Sequence, residues 1–184
     1  MIPPMSHRYD MGMAVIQDGK TNLYNSDRPY DHIREAESFD TLMKNYLSST
    51  EGQRFIEYLH SRGKELVEIK GFGAGDLGEH TVAATLKNNL EGIIVSNYQG
   101  HSFSERVQQM ADQYGINTEA MTEYVIAHEL SHAAGYKSEA ETEGFVKDYF
   151  TTQAFQHQGE DRQKYVQLAK IAEQRQYEAE KEGK

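Results

Sequence analysis

Thr118-Glu119-Ala120-Met121-Thr122-Glu123-Tyr124-Val125-Ile126-Ala127-His128-Glu129-Leu130-Ser131-His132-Ala133-Ala134-Gly135 is the stretch on which the rest of the chain is read. Asn117 and Thr118 are helix-capping residue types, acidic residues in the first turn suit the helix dipole, and Gly135 fits the left-handed residue that closes a helix. Met121, Tyr124, Val125 and Leu130 fall on or near one apolar stripe, so the spacing predicts a helix buried along most of its length. Its last turns carry the pattern HExxH. His128 and His132 are one helical turn apart, so both imidazoles leave the same face and can share one metal ion. Glu129 is rotated off that face but lies within reach of a water on such a metal, where a carboxylate takes the water's proton as it attacks a carbonyl. A buried helix carrying two imidazoles and a carboxylate is costly without a metal or an equivalent set of partners. The competing assignment is two core histidines bonded to backbone carbonyls, with Glu129 at the surface.

Catalytic zinc usually keeps three protein ligands and leaves a fourth position to water, so a third donor is needed. After Gly135-Tyr136-Lys137, Ser138 opens a second helix with a capping box, Ser138 with Glu141, and the run Glu139-Ala140-Glu141-Thr142-Glu143-Gly144-Phe145-Val146 follows. Glu139 and Glu143 share a face. One can coordinate the metal while the other accepts the free ring N–H of a ligating histidine. Glu141 points elsewhere and is occupied by the cap. The plain alternative for the three glutamates is an acidic first turn, which any helix favours.

HELSH followed by E-x-E-x-E-x-F-V resembles the gluzincin clan of zinc metallopeptidases. It is similar to the E-x-E-A-[ND]-x-F-A pattern of ImmA/IrrE-type proteases and to the E-x-E-A-D of HtpX-like membrane peptidases and soluble minigluzincins. The resemblance covers about residues 118 to 150 and implies His128, His132 and Glu139 as zinc ligands, Glu129 as general base and Glu143 as support. It departs at Thr142, where the pattern has Ala, and at Glu143, where it has Asp or Asn. These departures leave open a second frame in which Glu143 is the ligand, as a Glu-x-Phe-Val signature of lethal-factor-type peptidases implies. The resemblance further implies that an edge strand above the metal pairs with an extended substrate, and Gly92, Ile93, Ile94 and Val95 are the stretch assigned to it. Minigluzincins also suggest that a charged tail can cover such a cleft.

Composition bounds the remainder. With 184 residues, 38% apolar and 26% charged, the chain can build one ordinary core with some surplus. The absence of cysteine excludes a disulfide framework and any thiolate zinc site. No apolar run approaches membrane length and no signal peptide is legible in Met1-Ile2-Pro3-Pro4, so the expectation is a soluble, cytoplasmic protein without a membrane span. A net charge of −10 with no basic stripe argues against general nucleic-acid binding.

In chain order, residues 1–34 read as a polar segment in which Met13–Gln17, Asp18-Gly19 and Lys20–Tyr24 form a hairpin, with 25–34 as linker. Glu35–Leu47 and Gly52–Ser61 read as helices broken near Ser48-Ser49, and Lys64–Lys70, alternating charged and aliphatic, as a half-buried strand. Gly71-Phe72-Gly73-Ala74-Gly75-Asp76-Leu77-Gly78 lacks the following helix of a phosphate loop and reads as a flexible connection. Thr81–Leu86 and Glu91–Asn97 read as strands joined by a turn at Asn88-Asn89, and Ser102 caps a helix over Phe103–Tyr114. Residues 35–159 thus form the metallopeptidase-like domain, and 160–184 a charged helical tail whose end should fray.

The fold expected is α+β and zincin-like: a small twisted sheet of about three strands on an active-site helix and a glutamate helix, with further N- and C-terminal helices. The function expected is zinc-dependent endopeptidase acting on a peptide or protein substrate. Tyr136, His101 and His157 are candidates, by side-chain type, for stabilising the oxyanion. Two other classes stay open: a structural zinc site closed by a fourth protein ligand such as His157, and a partner-binding regulator with a vestigial metal site.

Overall fold

The computed structural model describes residues 12–66, 69–86 and 92–184. These divide into two compact units, one of residues 12–54, 69–86 and 92–107, the other of residues 55–66 and 108–184. The architecture is α+β, with a five-stranded mixed sheet and six α-helices among the described residues.

The first unit contains the sheet, in the order β2-β1-β3-β5-β4. β1 (Met13–Gln17) and β2 (Lys20–Tyr24) form the expected hairpin, with positive φ at both turn residues, Asp18 and Gly19, as a tight two-residue connection requires. The hairpin belongs to the sheet proper, because β1 also pairs antiparallel with β3 (Gly71–Gly75). This brings the strand count to five where about three were expected. β3 runs parallel to β5 (Gly92–Ser96), which pairs on its other side with the antiparallel β4 (Ala83–Leu86).

Three sequence readings fail here for physical reasons. The glycine-rich run is no loop: it is a fully buried strand at the sheet's centre, while Lys64–Leu66 and Ile69–Lys70 lie outside the strands and residues 67–68 outside the described ones. The glycines of β3 stand opposite Met13, Val15 and Gln17. A Cβ on Gly71 would lie 2.6 Å from Gln17 Cγ, and one on Gly75 would lie 2.6 Å from Met13 Cβ, so close approach to β1 excludes a side chain. Gly92, Ile93, Ile94 and Val95 are not an edge either. β5 is hydrogen-bonded on both sides, which leaves no free row of N–H and C=O groups for an extended peptide. The expected turn at Asn88-Asn89 lies outside the described residues.

α1 (Pro29–Ser48) begins at Pro29 and not at Glu35, proline being well suited to the first helical position. It buries His32, Ala36, Phe39 and Met43 along one face, and Phe39 meets Phe72 of β3 edge-on at 5.9 Å between ring centroids. On the other face of the sheet Met13, Val15, Leu86 and Ile94 form an apolar cluster, packed into the space that the glycines leave. α2 (Thr50–Ser61) and α3 (Phe103–Tyr114) follow in their expected places.

The second unit is helical. α4 (Thr118–Ala133) is capped by Asn117, whose side chain accepts the Ala120 N–H at 2.8 Å, and ends at Gly135 with φ 112°. α5 (Glu139–Gln156) is capped by Ser138, whose hydroxyl accepts the Glu141 N–H at 3.0 Å. Phe55 and Tyr58 pack against Tyr149 at 5.0 and 5.4 Å, and Phe150 stacks on Tyr165 at 6.0 Å. Tyr165 belongs to α6 (Gly159–Glu182), the charged tail of the sequence reading. It is not a loose appendage. Tyr165, Leu168, Ile171, Ala172 and Ala179 are buried along one face, and the end does not fray: Gly183 adopts the left-handed cap and the Lys184 carbonyl accepts the Ala140 N–H at 3.3 Å. Among the described residues no helix is long and apolar enough to cross a membrane.

The close packing of β1 on β3 sets an expectation. Gly75→Val should lower stability by about 1–3 kcal/mol, the scale of overpacking a filled interior, read as a lower urea midpoint. An unchanged midpoint would mean that β1 does not lie against Gly75.

Candidate metal centre

Both histidines leave the last turns of α4 on one face, as i and i+4 must, with ring centroids 4.8 Å apart. Their outer nitrogens are already committed. His132 Nδ1 donates to the Tyr136 carbonyl at 2.8 Å, which the turn after Gly135 folds back over the ring. A carbonyl only accepts, so His132 carries its proton on Nδ1. His128 Nδ1 lies 2.6 Å from Glu143 Oε1, one turn into α5, and donates to that carboxylate. When neutral, each ring therefore turns a bare Nε2 lone pair inward, and the two nitrogens are 3.2 Å apart.

Glu139, the first residue of α5, adds a third acceptor. One carboxylate oxygen lies 3.1 Å from His128 Nε2 and the other 3.2 Å from His132 Nε2. Three acceptors converging at these distances repel one another unless a proton or a metal cation lies among them. Ligands about 2.0–2.1 Å from a tetrahedral ion stand roughly 3.3 Å apart, close to the separations found. The donor set thus fits a metal ion, and among the described residues His128, His132 and Glu139 form a group that could hold one.

The same electrostatics shift the titration of the group. Burial alone would lower the His128 pKa, but hydrogen bonds to Glu139 and Glu143 and the charges of Glu143 and Glu129 outweigh it and raise it to about 9. Burial would raise the Glu139 carboxyl, yet the bonds from His128 and His132 hold it well below the usual carboxylate range. Burial and the Glu143 charge push the Tyr124 phenol well above its ordinary value.

Around this core stands a shell from four helices. The Tyr124 hydroxyl of α4 donates to Glu143 Oε2, and Arg175 of α6 reaches the same oxygen through Nε at 3.2 Å. Arg175 Nη1 lies 3.5 Å from the hydroxyl of Tyr114, the last residue of α3. The Thr142 hydroxyl donates to the Ser138 carbonyl at 2.7 Å and lies 3.3 Å from His132 Nδ1. Glu129 is 3% exposed, close enough for its charge to act on His128, and is not among the three converging donors.

The other sequence candidates lie elsewhere. Tyr136 serves by its backbone carbonyl, while its ring stacks on Phe145 at 4.6 Å under the Lys64 ammonium. His157 donates to the Gln153 carbonyl at 2.7 Å and packs on Tyr165. His101, in the first unit, is exposed and sits 3.0 Å from Glu105. Sequence reasoning missed Arg175 and the hydroxyl of Tyr124. Tyr124 falls on the same α4 stripe as His128, four residues on, and that spacing was the available signal; Arg175 in a Lys- and Glu-rich helix gives none.

Comparison with protein-family models, with curated proteins and with solved structures finds no match to this chain.

In metal-free protein the raised His128 pKa has a definite sign. A histidine of unfolded pKa about 6.5 and folded pKa about 9 contributes stability that is fully present below pH 6.5 and lost as pH rises through 9. The melting temperature without metal should therefore fall across that window, and His128→Ala should remove the dependence. A wild-type profile that is flat or rising from pH 6.5 to 9 contradicts the geometry.

Proposed function

We propose that the chain is a zinc-dependent peptidase, with His128, His132 and Glu139 holding the metal. What supports this reading is one juxtaposition: two imidazole Nε2 atoms and a carboxylate converge while the buried Glu129, next in sequence to His128, stays outside the ligand set. Two imidazoles and one carboxylate are a zinc donor set of the catalytic kind, three protein ligands and no thiolate.

Zinc so held would supply Lewis acidity and lower the pKa of water. The side chains do the rest. Glu143 and the Tyr136 carbonyl fix the two rings by their Nδ1–H groups, which keeps both Nε2 atoms inward and makes the rings better donors. Glu129 acts as the base that takes the water's proton and returns it to the leaving amine, so the carboxylate ends the cycle as it began. Glu139 is the half-buried member of the ligand set, 27% exposed, and so marks the side open to a peptide.

The test begins with metal content. Protein exchanged into zinc and dialysed should hold one ion per chain, and His128→Ala or Glu139→Ala should hold much less. Glu129→Gln should keep its zinc and its fold while its turnover of a denatured protein such as casein falls by at least about 100-fold, the range typical of a lost general base. Undiminished turnover in that variant would take Glu129 out of the mechanism. A fourth protein ligand in the zinc-loaded protein would favour the structural-zinc reading.

A further inference from the structure

The carboxylate that orients His128 is itself held from the C-terminal helix. Glu143 is 1% exposed, and its two oxygens have separate duties: Oε1 faces His128 Nδ1 at 2.6 Å, while Oε2 takes the Tyr124 hydroxyl and Arg175 Nε. The last torsion of a glutamate side chain is broad and nearly two-fold, so packing alone does not decide which way the carboxylate plane turns. Two donors on one oxygen decide it, leaving the other for the imidazole. They approach from different helices, Tyr124 from α4 and Arg175 from α6. The guanidinium is located in turn: Nη1 lies 3.5 Å from Tyr114 Oη, and its central carbon 5.9 Å from the centroid of the Tyr124 ring.

Charge points the same way. A buried carboxylate without a cationic partner is expensive. A histidine bound to metal is neutral and Tyr124 is a phenol, so the cation of this group is Arg175.

We propose that Arg175 is a positioning residue of the metal centre: by holding Glu143 it fixes the His128 ring, so that docking of the C-terminal helix and metal binding are coupled. The proposal rests on the reading of His128, His132 and Glu139 as ligands and is independent of what reaction follows. If Arg175 served only to pin α6 to α5, its loss would lower stability and leave metal affinity unchanged in the folded protein. If it acts through Glu143, metal affinity must change, and by reciprocity metal must tighten α6.

The experiment measures zinc affinity of the full chain by competition with a chromophoric chelator, with far-UV circular dichroism of each metal-free variant as the check on folding. Wild type, Arg175→Met, Arg175→Lys, Glu143→Gln and the Arg175→Met/Glu143→Gln double variant are compared. Arg175→Met should weaken zinc by about 10- to 100-fold, the usual scale for a residue that orients a ligand, and Arg175→Lys should recover part of the loss. The double variant should bind no more weakly than Glu143→Gln alone, because both changes break one chain of contacts. Zinc should also slow hydrogen exchange in residues 171–179 of the wild type and do so less in Arg175→Met. Unchanged affinity in folded Arg175→Met, or losses that add in the double variant, overturns the proposal. Should Arg175→Met fail to fold, Arg175→Gln, which is shorter but places an amide donor near the position of Nε and removes the charge, is judged by the same criterion. A wild type that binds no zinc removes the metal centre itself and this proposal with it, an outcome distinct from a zinc-binding wild type with an indifferent Arg175.

Discussion

Two imidazoles whose proton-bearing nitrogens are both taken impose the constraint on which the second unit is built. Once His132 donates to the Tyr136 carbonyl and His128 to Glu143, their remaining lone pairs face each other and the Glu139 carboxylate. The backbone around them is what sets this up. Gly135 turns the chain so that the carbonyl of Tyr136 returns over the ring one turn behind it, and the Ser138 cap starts the next helix with Glu139 as its first residue. Glu139 and Glu143, four residues apart on α5, then bracket the His128 ring, one at each nitrogen. A register shift of one residue in α5 would remove both carboxylates from that face at once.

The energetic consequence is a concentration of negative charge in a chain that is already acidic. Glu129, the next residue on α4, and Glu143, 2.6 Å away on α5, are both buried beside the His128 imidazole, and Glu139 is only partly open to water. Such a group needs positive charge at its centre. In the metal-free protein a proton on His128 provides some of it, which is why that histidine holds its proton to about pH 9. A divalent ion at the same place does more and competes with the proton for the same lone pair. The raised imidazole and the fit to a metal are therefore two expressions of one electrostatic arrangement.

The convergence of His128, His132 and Glu139 was legible because its geometry is local. An i, i+4 pair on a capped helix, and a second capped helix starting a few residues later, fix directions over distances that sequence periodicity encodes. The same locality explains what was misread. Lys64–Lys70 alternates like a strand, yet its described residues 64–66 and 69–70 lie outside the strands, whereas Gly71–Gly75 has no apolar alternation and is the central strand, because its glycines answer to the side chains of β1 and not to a local preference. The interior position of Gly92–Val95 followed from where β4 pairs, and the strand count from the hairpin's attachment to β3, both long-range facts. Arg175 was invisible for the same reason: one cation among many on a polar helix, singled out by a carboxylate thirty-two residues away.

That distance bears on why the unit ends in a third long helix. α4 and α5 supply every donor of the metal group, yet each buries a carboxylate that the pair does not neutralise. α6 meets them in turn along its length. Near its start Tyr165 donates to Glu123 of α4 at 3.2 Å and Lys164 pairs with the same carboxylate at 3.0 Å; at its middle Arg175 holds Glu143; at its end the Lys184 carbonyl accepts an N–H from the first turn of α5, beside Glu139. Between these contacts lie Leu168, Ile171 and Ala172, buried and apolar. Hydrophobic burial is non-directional and sets how firmly α6 lies down, but not how it is rotated or where it stops. The polar contacts do that, and one of them reaches His128 through a single carboxylate. A helix that reads in sequence as a charged tail thus brings Arg175 to Glu143, and the docking energy of its apolar stripe is what keeps that guanidinium beside the carboxylate that His128 faces.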